Sequence, residues 1–85
     1  MMIEIYGTPT CGFCIRAKKL AERHQIAYEY KDISANQTNR DELTERMGSE
    51  PRQVPQIFWN NKYIGGYEQL NAEIENTRNF GDGAF

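Results

Sequence analysis

Hydrophobic and polar positions alternate or recur along the first third of this chain in a way that predicts a strand, a helix and a second strand. Residues 2–6 alternate as in a half-buried strand, and a Gly-Thr-Pro-Thr segment then breaks the pattern. From 12 to 25, apolar side chains return at spacings of three and four, which is typical of an amphipathic helix. Residues 26–31 alternate again, which predicts the second strand.

A short helix and a hairpin are predicted in the middle of the chain. The helix covers roughly residues 39–47, with Asn39 as its N-cap and Gly48 at its C-terminal end. Two short apolar runs, 56–59 and 62–64, then flank an Asn-Asn dipeptide. Because asparagine tolerates positive φ, this dipeptide predicts the turn of a β-hairpin.

The last predicted element is a helix over about residues 68–78, and the segment 79–85, which contains two glycines, is expected to fray. The predicted order is therefore β-α-β-α-β-β-α. The first two strands enclose a helix and should pair in parallel through a right-handed crossover, whereas the closing pair should be antiparallel. With no repeat or linker in 85 residues, the chain 1–85 is expected to form a single α/β domain.

The net charge and the hydropathy of the chain argue against two classes of function, nucleic-acid binding and membrane association. Ten Lys and Arg residues against twelve Asp and Glu residues give a net charge of −2, which argues against nucleic-acid binding through an overall positive charge. No apolar run approaches the roughly 18 residues of a membrane span, and no signal segment is evident at the N-terminus. The sequence therefore predicts a cytoplasmic protein without nucleic-acid or membrane partners, which we expect to be a monomer.

The two cysteines, Cys11 and Cys14, form a Cys-x-x-Cys pair. A disulfide between them would close a loop too short to stabilise the fold much, so the pair indicates redox or metal chemistry. A structural zinc site normally needs four ligands, and the only other usual nitrogen or sulfur ligand is His24, on the apolar side of its predicted helix. We predict redox chemistry and no metal site; a purely structural pair and half of an intermolecular zinc site stay open as alternatives.

The positions of the two cysteines predict different roles for them. Cys11 lies where a loop containing Pro9 enters a helix, so the partial positive charge of the helix N-terminus stabilises a thiolate there. Cys14 lies one turn further in, and residues at this spacing have Cβ atoms about 5–6 Å apart, close to the distance that a disulfide requires. We therefore predict that Cys11 is the nucleophile, that Cys14 resolves, and that the two form a redox-active disulfide.

Three motifs resemble those of the dithiol glutaredoxins and occur in the family's order and approximate spacing. They are Thr10-Cys11-Gly12-Phe13-Cys14, Val54-Pro55-Gln56-Ile57-Phe58 and Ile64-Gly65-Gly66-Tyr67. The likeness covers about residues 2–78. It implies a thioredoxin-like fold, in which a four-stranded mixed sheet is flanked by three helices.

The resemblance also implies a reaction and its partners. Glutathione is the expected reducing co-substrate, and no cofactor is expected to be bound permanently. The implied substrates are protein disulfides and glutathione mixed disulfides, with ribonucleotide reductase as one protein client that the family suggests.

A glutathione site is implied in the same way. The peptide bond before Pro55 is expected to be cis, and the backbone of Val54 is expected to pair with the cysteine of glutathione. The glycines before the last helix would let a carboxylate approach free backbone N–H groups. The residues expected to contact glutathione are Thr10, Phe13, Val54, Pro55, Gly66, Tyr67 and Glu68.

The chain departs from the family pattern around this site. The departures are Gly12 and Phe13 in place of Pro and Tyr between the cysteines, Thr8 in place of Lys, Gln53 in place of Thr, and Gln69 in place of Asp. The family's ion pairs to glutathione therefore do not transfer intact to this chain. Arg16 and Arg52 are the candidates to replace the missing positive charge.

Two alternatives are compatible with the same motifs. One is a redoxin that is reduced by thioredoxin reductase instead of glutathione. The other is a binding module that shares a glutathione-ligated iron–sulfur cluster across a dimer, a form that Gly12 permits in place of the family's proline. The presence of Cys14 makes cluster binding the second choice.

Overall fold

Strands and helices follow one another in the predicted order in the computed structural model, which describes residues 2–83 and the side chains of residues 2–76. The strands are β1 (Ile3–Gly7), β2 (Tyr28–Asp32), β3 (Gln56–Trp59) and β4 (Lys62–Gly65). The helices are α1 (Gly12–Arg23), α2 (Gln37–Met47) and α3 (Tyr67–Gly83). Residues 84 and 85, which belong to the segment expected to fray, lie outside the described residues.

The strands form a mixed sheet in the order β2-β1-β3-β4. β1 and β2 are parallel, as predicted for strands that enclose a helix, and β3 and β4 form the predicted antiparallel hairpin. Asn60 and Asn61 have φ angles of 54° and 65°, which confirms the predicted turn. β1 lies between β2 and β3, and the loop that leaves its C-terminal end carries the chain to Cys11.

Side chains alternate across the sheet and build a hydrophobic core on each of its faces. Ile5 and Ile57 point to the face that packs against buried residues of α1 and α3. Tyr6 and Phe58 point to the opposite face, where they pack against Leu43 of α2. The sheet is thus covered by two helices on one side and by one helix on the other.

The prediction for the start of α2 was wrong. The N-cap is Asn36, whose Oδ1 accepts from the backbone N–H of Asn39 at 3.1 Å, and the helix begins at Gln37. The side chain of Asn39 instead donates to the backbone carbonyl of Asp32 at 3.1 Å. The first turn of α2 is polar on every side, so the apolar pattern could not reveal it. Gly48, with φ of 80°, ends the helix as predicted.

Helix α1 ends earlier than the apolar pattern predicted, at Arg23 instead of residue 25. Gln25 has a left-handed φ of 58° and donates to Glu22 O, and the N–H of Ile26 donates to Ala21 O at 2.9 Å. These two bonds form a Schellman motif, in which glutamine takes the place that glycine usually occupies. Because Ile26 takes part in the cap, β2 begins at Tyr28 instead of residue 26.

Helix α3 begins at Tyr67 and continues to Gly83, beyond the predicted end at residue 78. A glycine costs a helix interior about 1 kcal/mol relative to alanine, which weakens the helix without ending it. The expected fraying of residues 79–85 stays a prediction. Within residues 2–83, no helix is both long enough and apolar enough to cross a bilayer.

A network of polar side chains lies between the sheet and α2. The Tyr6 hydroxyl donates to Glu42 and accepts from Arg46 Nη1 at 2.8 Å. Lys31 Nζ donates to Glu42 at 2.6 Å and to Glu4 at 3.3 Å, and Arg46 pairs with Glu4 at 3.0 Å. The hydrogen bonds from Lys31 and then from Tyr6 hold the pKa of Glu42 below its usual range. The network therefore favours the ionised form of this carboxyl in the folded state.

Replacing Glu42 with glutamine is expected to reduce the loss of stability in acid. Because the folded state lowers the pKa of Glu42, its carboxylate contributes fully above its unfolded pKa of about 4.3, and this contribution disappears as the pH falls through the lower folded value. The carboxylate is partly exposed, so the effect should be below about 1 kcal/mol. Urea unfolding at pH 7 and pH 3, followed by the fluorescence of the single tryptophan, Trp59, measures it. Glu45→Gln, on the exposed side of the same helix, should lose as much stability in acid as the unmodified chain; an equal loss in Glu42→Gln would contradict the prediction.

Candidate active site

Cys11 is the N-cap residue of α1. Its backbone is extended, with φ −84° and ψ 118°, and its Sγ accepts a hydrogen bond from the backbone N–H of Cys14 at 3.1 Å. The side chain is half-buried, so a substrate sulfur can reach it. Residues 12–14, the first turn of the helix, contain no acidic side chain that would oppose a negative sulfur. The helix N-terminus and the N–H of Cys14 therefore face the sulfur on which negative charge develops during disulfide exchange.

Cys14 lies in the same first turn but is fully buried beneath Cys11. Both cysteines are free thiols, which makes this the dithiol form. Burial, and then the neighbouring Cys11, raise the pKa of Cys14 to about 11. The two thiols are therefore unequal, because Cys11 is accessible from solvent at the helix N-terminus, whereas Cys14 is buried and has a raised pKa.

Gly7, the last residue of β1, leaves the space that Cys14 occupies. A Cβ at this position would lie 2.5 Å from Cys14 Sγ and 2.8 Å from the Tyr30 hydroxyl, both far inside contact distance. The sequence pattern indicated Gly7 only as the residue that ends a strand. The packing of the buried Cys14 thiol requires a glycine at this position.

Gly7→Ala is expected to destabilise the protein by about 1–3 kcal/mol, the usual cost of overpacking a core. The added methyl group must displace Cys14, so formation of the Cys11–Cys14 disulfide should also slow. Gly12→Ala is the matched control, because a Cβ at Gly12 meets nothing within 4 Å. Urea unfolding of both variants measures the difference, and equal midpoints for the two would refute the steric argument.

The peptide bond between Val54 and Pro55 is cis, as the resemblance implied. The Cys11 thiol donates to the carbonyl oxygen of Val54, with 3.6 Å between the sulfur and the oxygen. The backbone of Val54, just before the cis bond, is therefore the immediate neighbour of the outer thiol.

An open cleft of about 310 Å³ runs from Val54 to the first turn of α3. It is lined by Phe13, Gln53, Val54, Pro55, Gly66, Tyr67, Glu68 and Gln69. Six of the seven residues expected to contact glutathione thus lie together along one cleft. The seventh, Thr10, is exposed on the loop before Cys11 and does not line the cleft.

Gln69 is a cleft residue that was noted in the sequence only as a departure from the family. Its Oε1 accepts from the backbone N–H of Gly66 at 3.0 Å, the interaction that the third residue of a helix makes in a capping box. The spacing of three between Gly66 and Gln69 was the signal that could have indicated it. Gly65, with φ of 120°, adopts a backbone conformation that favours glycine and turns the chain into this helix.

Two aromatic side chains, Phe13 and Tyr67, line the cleft, and the cationic Arg16 lies against Phe13. The ring of Phe13 is about half exposed and lies 6.1 Å from that of Tyr67, and the Arg16 guanidinium lies 5.4 Å from the centre of the Phe13 ring. Neither candidate replacement for the family's lysine lines the cleft, but Arg16 contacts Phe13, a residue that does line it. His24 caps the other end of α1, away from the cysteines.

Comparisons with known proteins agree with this arrangement. The Glutaredoxin family model matches residues 3–64. Glutaredoxin 1 of Escherichia coli strain K12 is 36% identical over 80 residues, which cover 88% of this chain and 94% of that protein. The NMR structure of reduced Escherichia coli glutaredoxin aligns with a TM-score of 0.75 at 34% identity, over 93% of this chain and 99% of that one. The crystal structure of a buckwheat glutaredoxin–glutathione complex matches in fold, with a TM-score of 0.73 at 23% identity over 89% and 70% of the two chains.

Proposed function

Because the chain belongs to the glutaredoxin family of thiol–disulfide oxidoreductases and has its thioredoxin-like fold, we propose that it uses glutathione to reduce disulfides. Its substrates are protein disulfides and mixed disulfides of glutathione with proteins. The observation that carries the proposal is the cleft that joins Val54, beside Cys11, to the N-terminus of α3. Such a cleft can hold a tripeptide thiol with its sulfur at Cys11.

The first step is the attack of the Cys11 thiolate on a substrate disulfide. A bond forms between Cys11 Sγ and one substrate sulfur, the substrate S–S bond breaks, and the departing thiolate takes a proton from water. The helix N-terminus and the N–H of Cys14 stabilise the attacking negative charge. The hydrogen bond from Cys11 to the Val54 carbonyl is lost at this step, because the thiolate has no proton to donate.

The second step depends on what Cys11 has captured. In a mixed disulfide with a protein, Cys14 attacks Cys11 Sγ, releases the reduced protein and leaves the Cys11–Cys14 disulfide. Two glutathione molecules then reduce this disulfide and leave as oxidised glutathione. In a mixed disulfide with glutathione, a second glutathione can resolve the intermediate without Cys14.

Backbone groups and one carboxylate would hold glutathione in the cleft. The N–H and C=O of Val54 would pair with the cysteine of glutathione, because a residue that precedes a proline favours an extended conformation. The first turn of α3 offers N–H groups to a carboxylate. Glu68, exposed in that turn, is placed to attract the ammonium group, a role that Gln69 cannot fill while its oxygen caps Gly66. Thr10 would act from the rim, beside Cys11.

Protein clients and compartment are part of the same proposal. Family membership supports ribonucleotide reductase as one client, and the cytoplasm as the compartment, because a dithiol reductant needs a reducing environment. The cleft is lined by residues of a single chain, which supports a monomeric enzyme with glutathione as its partner.

A coupled assay with a single electron source tests the choice of reductant. The protein is supplied with a disulfide substrate and either glutathione with glutathione reductase or thioredoxin reductase, each with NADPH. We expect turnover with the first system only. Turnover with thioredoxin reductase alone would replace the proposed reductant. A brown, thiolate-ligated chromophore in protein purified without oxygen would instead favour the cluster-binding alternative.

A further inference from the structure

Tyr30 places its hydroxyl group beside the buried thiol. Tyr30 lies in β2, opposite Ile5 of β1, and its ring packs against the core between the sheet and α1. Its hydroxyl donates to the backbone carbonyl of Thr8 at 2.7 Å. The hydroxyl oxygen and Cys14 Sγ converge on the space above Gly7, where a Cβ would lie 2.8 Å from the first and 2.5 Å from the second. Both atoms therefore face the same small space, and the Tyr30 hydroxyl is near enough to lower the pKa of the Cys14 thiol.

Cys14 needs a hydrogen-bond donor when it reacts. The thiolate is the nucleophile in disulfide exchange, and a buried thiolate without donors is costly. Burial and Cys11 raise the pKa of Cys14 to about 11, whereas the backbone of Thr8 and the hydroxyl of Tyr30 act in the opposite direction. Of these two groups, Tyr30 is the side chain, so its donor can be removed by substitution.

The Tyr30 hydroxyl group carries one hydrogen, for which two acceptors are available: the carbonyl oxygen of Thr8 and the sulfur of Cys14. In the dithiol form this hydrogen points to Thr8 O. When Cys14 loses its proton, rotation about the C–O bond of Tyr30 can turn the hydrogen toward Sγ while the ring stays in place. Burial, and then Cys14, raise the pKa of Tyr30, so the hydroxyl keeps its hydrogen through the neutral range.

We propose that Tyr30 stabilises the Cys14 thiolate by this hydrogen bond during the attack on Cys11, and that it is a catalytic residue of the resolving step. The inference rests on the proposed dithiol cycle. Cys14 releases its proton to solvent, its sulfur forms a bond with Cys11 Sγ, the bond between Cys11 and the client sulfur breaks, and the client thiolate takes up a proton. Two electrons pass from the cysteine pair to the client disulfide.

Titration of Cys14 tests the hydrogen bond without glutathione or a client. In Cys11→Ser, Cys14 is the remaining cysteine, and the carbon-13 chemical shift of its Cβ reports its ionisation. Adding Tyr30→Phe should raise the midpoint by about one pH unit, because the variant lacks the hydroxyl that donates to the thiolate. The other charged groups near these two side chains, Asp32 and Lys18, are unchanged in the comparison.

Tyr28→Phe is the matched control for the titration. Tyr28 is two residues away on the same strand, and its hydroxyl donates to Glu22 on the surface at 2.5 Å. This substitution should leave the Cys14 midpoint where it is. A 3-fluorotyrosine at position 30, a stronger donor of nearly the same size, should lower the midpoint and serves if Tyr30→Phe unfolds. An unchanged midpoint in both position-30 variants, or an equal shift in Tyr28→Phe, would overturn the proposal.

The rate of resolution provides the second measurement. A mixed disulfide between Cys11 and a disulfide-bonded protein is formed under acid, and release of the client is followed after a jump to pH 7. Tyr30→Phe should slow release about tenfold, the lower end of what one such hydrogen bond contributes. Release that is equally fast in Tyr30→Phe and the unmodified chain would refute the role of Tyr30. A client that is never released by the unmodified chain would refute the proposed cycle instead, whatever the titration shows.

Discussion

Replacing Cys11 with serine is expected to abolish thiol–disulfide exchange on every substrate. A serine hydroxyl is far less acidic than a thiol and cannot form a mixed disulfide, so the first step has no nucleophile. Cys14 cannot replace Cys11, because it is fully buried and its pKa is raised to about 11. Activity toward a glutathione mixed disulfide and toward a protein disulfide, measured with glutathione and its reductase, should fall to the rate without enzyme.

The fold should survive this substitution, which makes the loss of activity interpretable. Cys11 caps α1 by accepting from the N–H of Cys14, and serine is among the residues that perform this role best. Cys11→Ala, which removes the cap, should cost about 1 kcal/mol. Urea midpoints of the two variants therefore separate the structural contribution of Cys11 from its chemical one. Residual activity in Cys11→Ser at a normal midpoint would show that Cys14 can attack substrates directly.

Local patterns in the sequence were sufficient for most of the fold. The alternation at residues 2–6 and the Asn-Asn turn each involve neighbours in the chain, and both predictions are confirmed. Errors arose at helix ends that lack either the usual capping residue or an apolar pattern. Gln25 adopts a left-handed conformation without being glycine, and the first turn of α2 after Asn36 presents no apolar side chain to a periodicity argument.

The residues of the candidate site also differ in whether the sequence alone can indicate them. Cys11, Cys14 and Pro55 belong to short motifs, so the amino-acid sequence alone is enough to single them out. Gly7 and Tyr30 acquire their importance from the parallel pairing of β1 with β2, which brings distant parts of the chain together around one sulfur. No residue spacing in the sequence indicates that these side chains meet, because their meeting depends on the strand register and on which face of the sheet α1 covers.

Replacing Cys14 with serine is expected to separate the two substrate classes. A glutathione mixed disulfide requires only the attacking thiol of Cys11, since free glutathione can resolve the intermediate, so substantial activity should remain. A protein disulfide depends on intramolecular resolution, in which Cys14 acts at an effective concentration that no free thiol matches, so most activity should be lost. The buried serine hydroxyl would lie beside polar groups of Thr8 and Tyr30, and the fold should therefore tolerate it.

Parallel assays of Cys14→Ser on the two substrates measure this separation, and a trapped disulfide between Cys11 and the protein client should accumulate in the variant. Cys11→Ser should form no such adduct, which makes it the matched control. Equal losses on both substrates would mean that Cys14 is needed for the structure around Cys11 rather than for resolution. Equal losses in Cys11→Ser and Cys14→Ser, with metal released from each, would favour the intermolecular zinc site over redox chemistry. A retained small-substrate activity is incompatible with both of those outcomes, because a metal ligand or a structural thiol has no reason to distinguish between substrates.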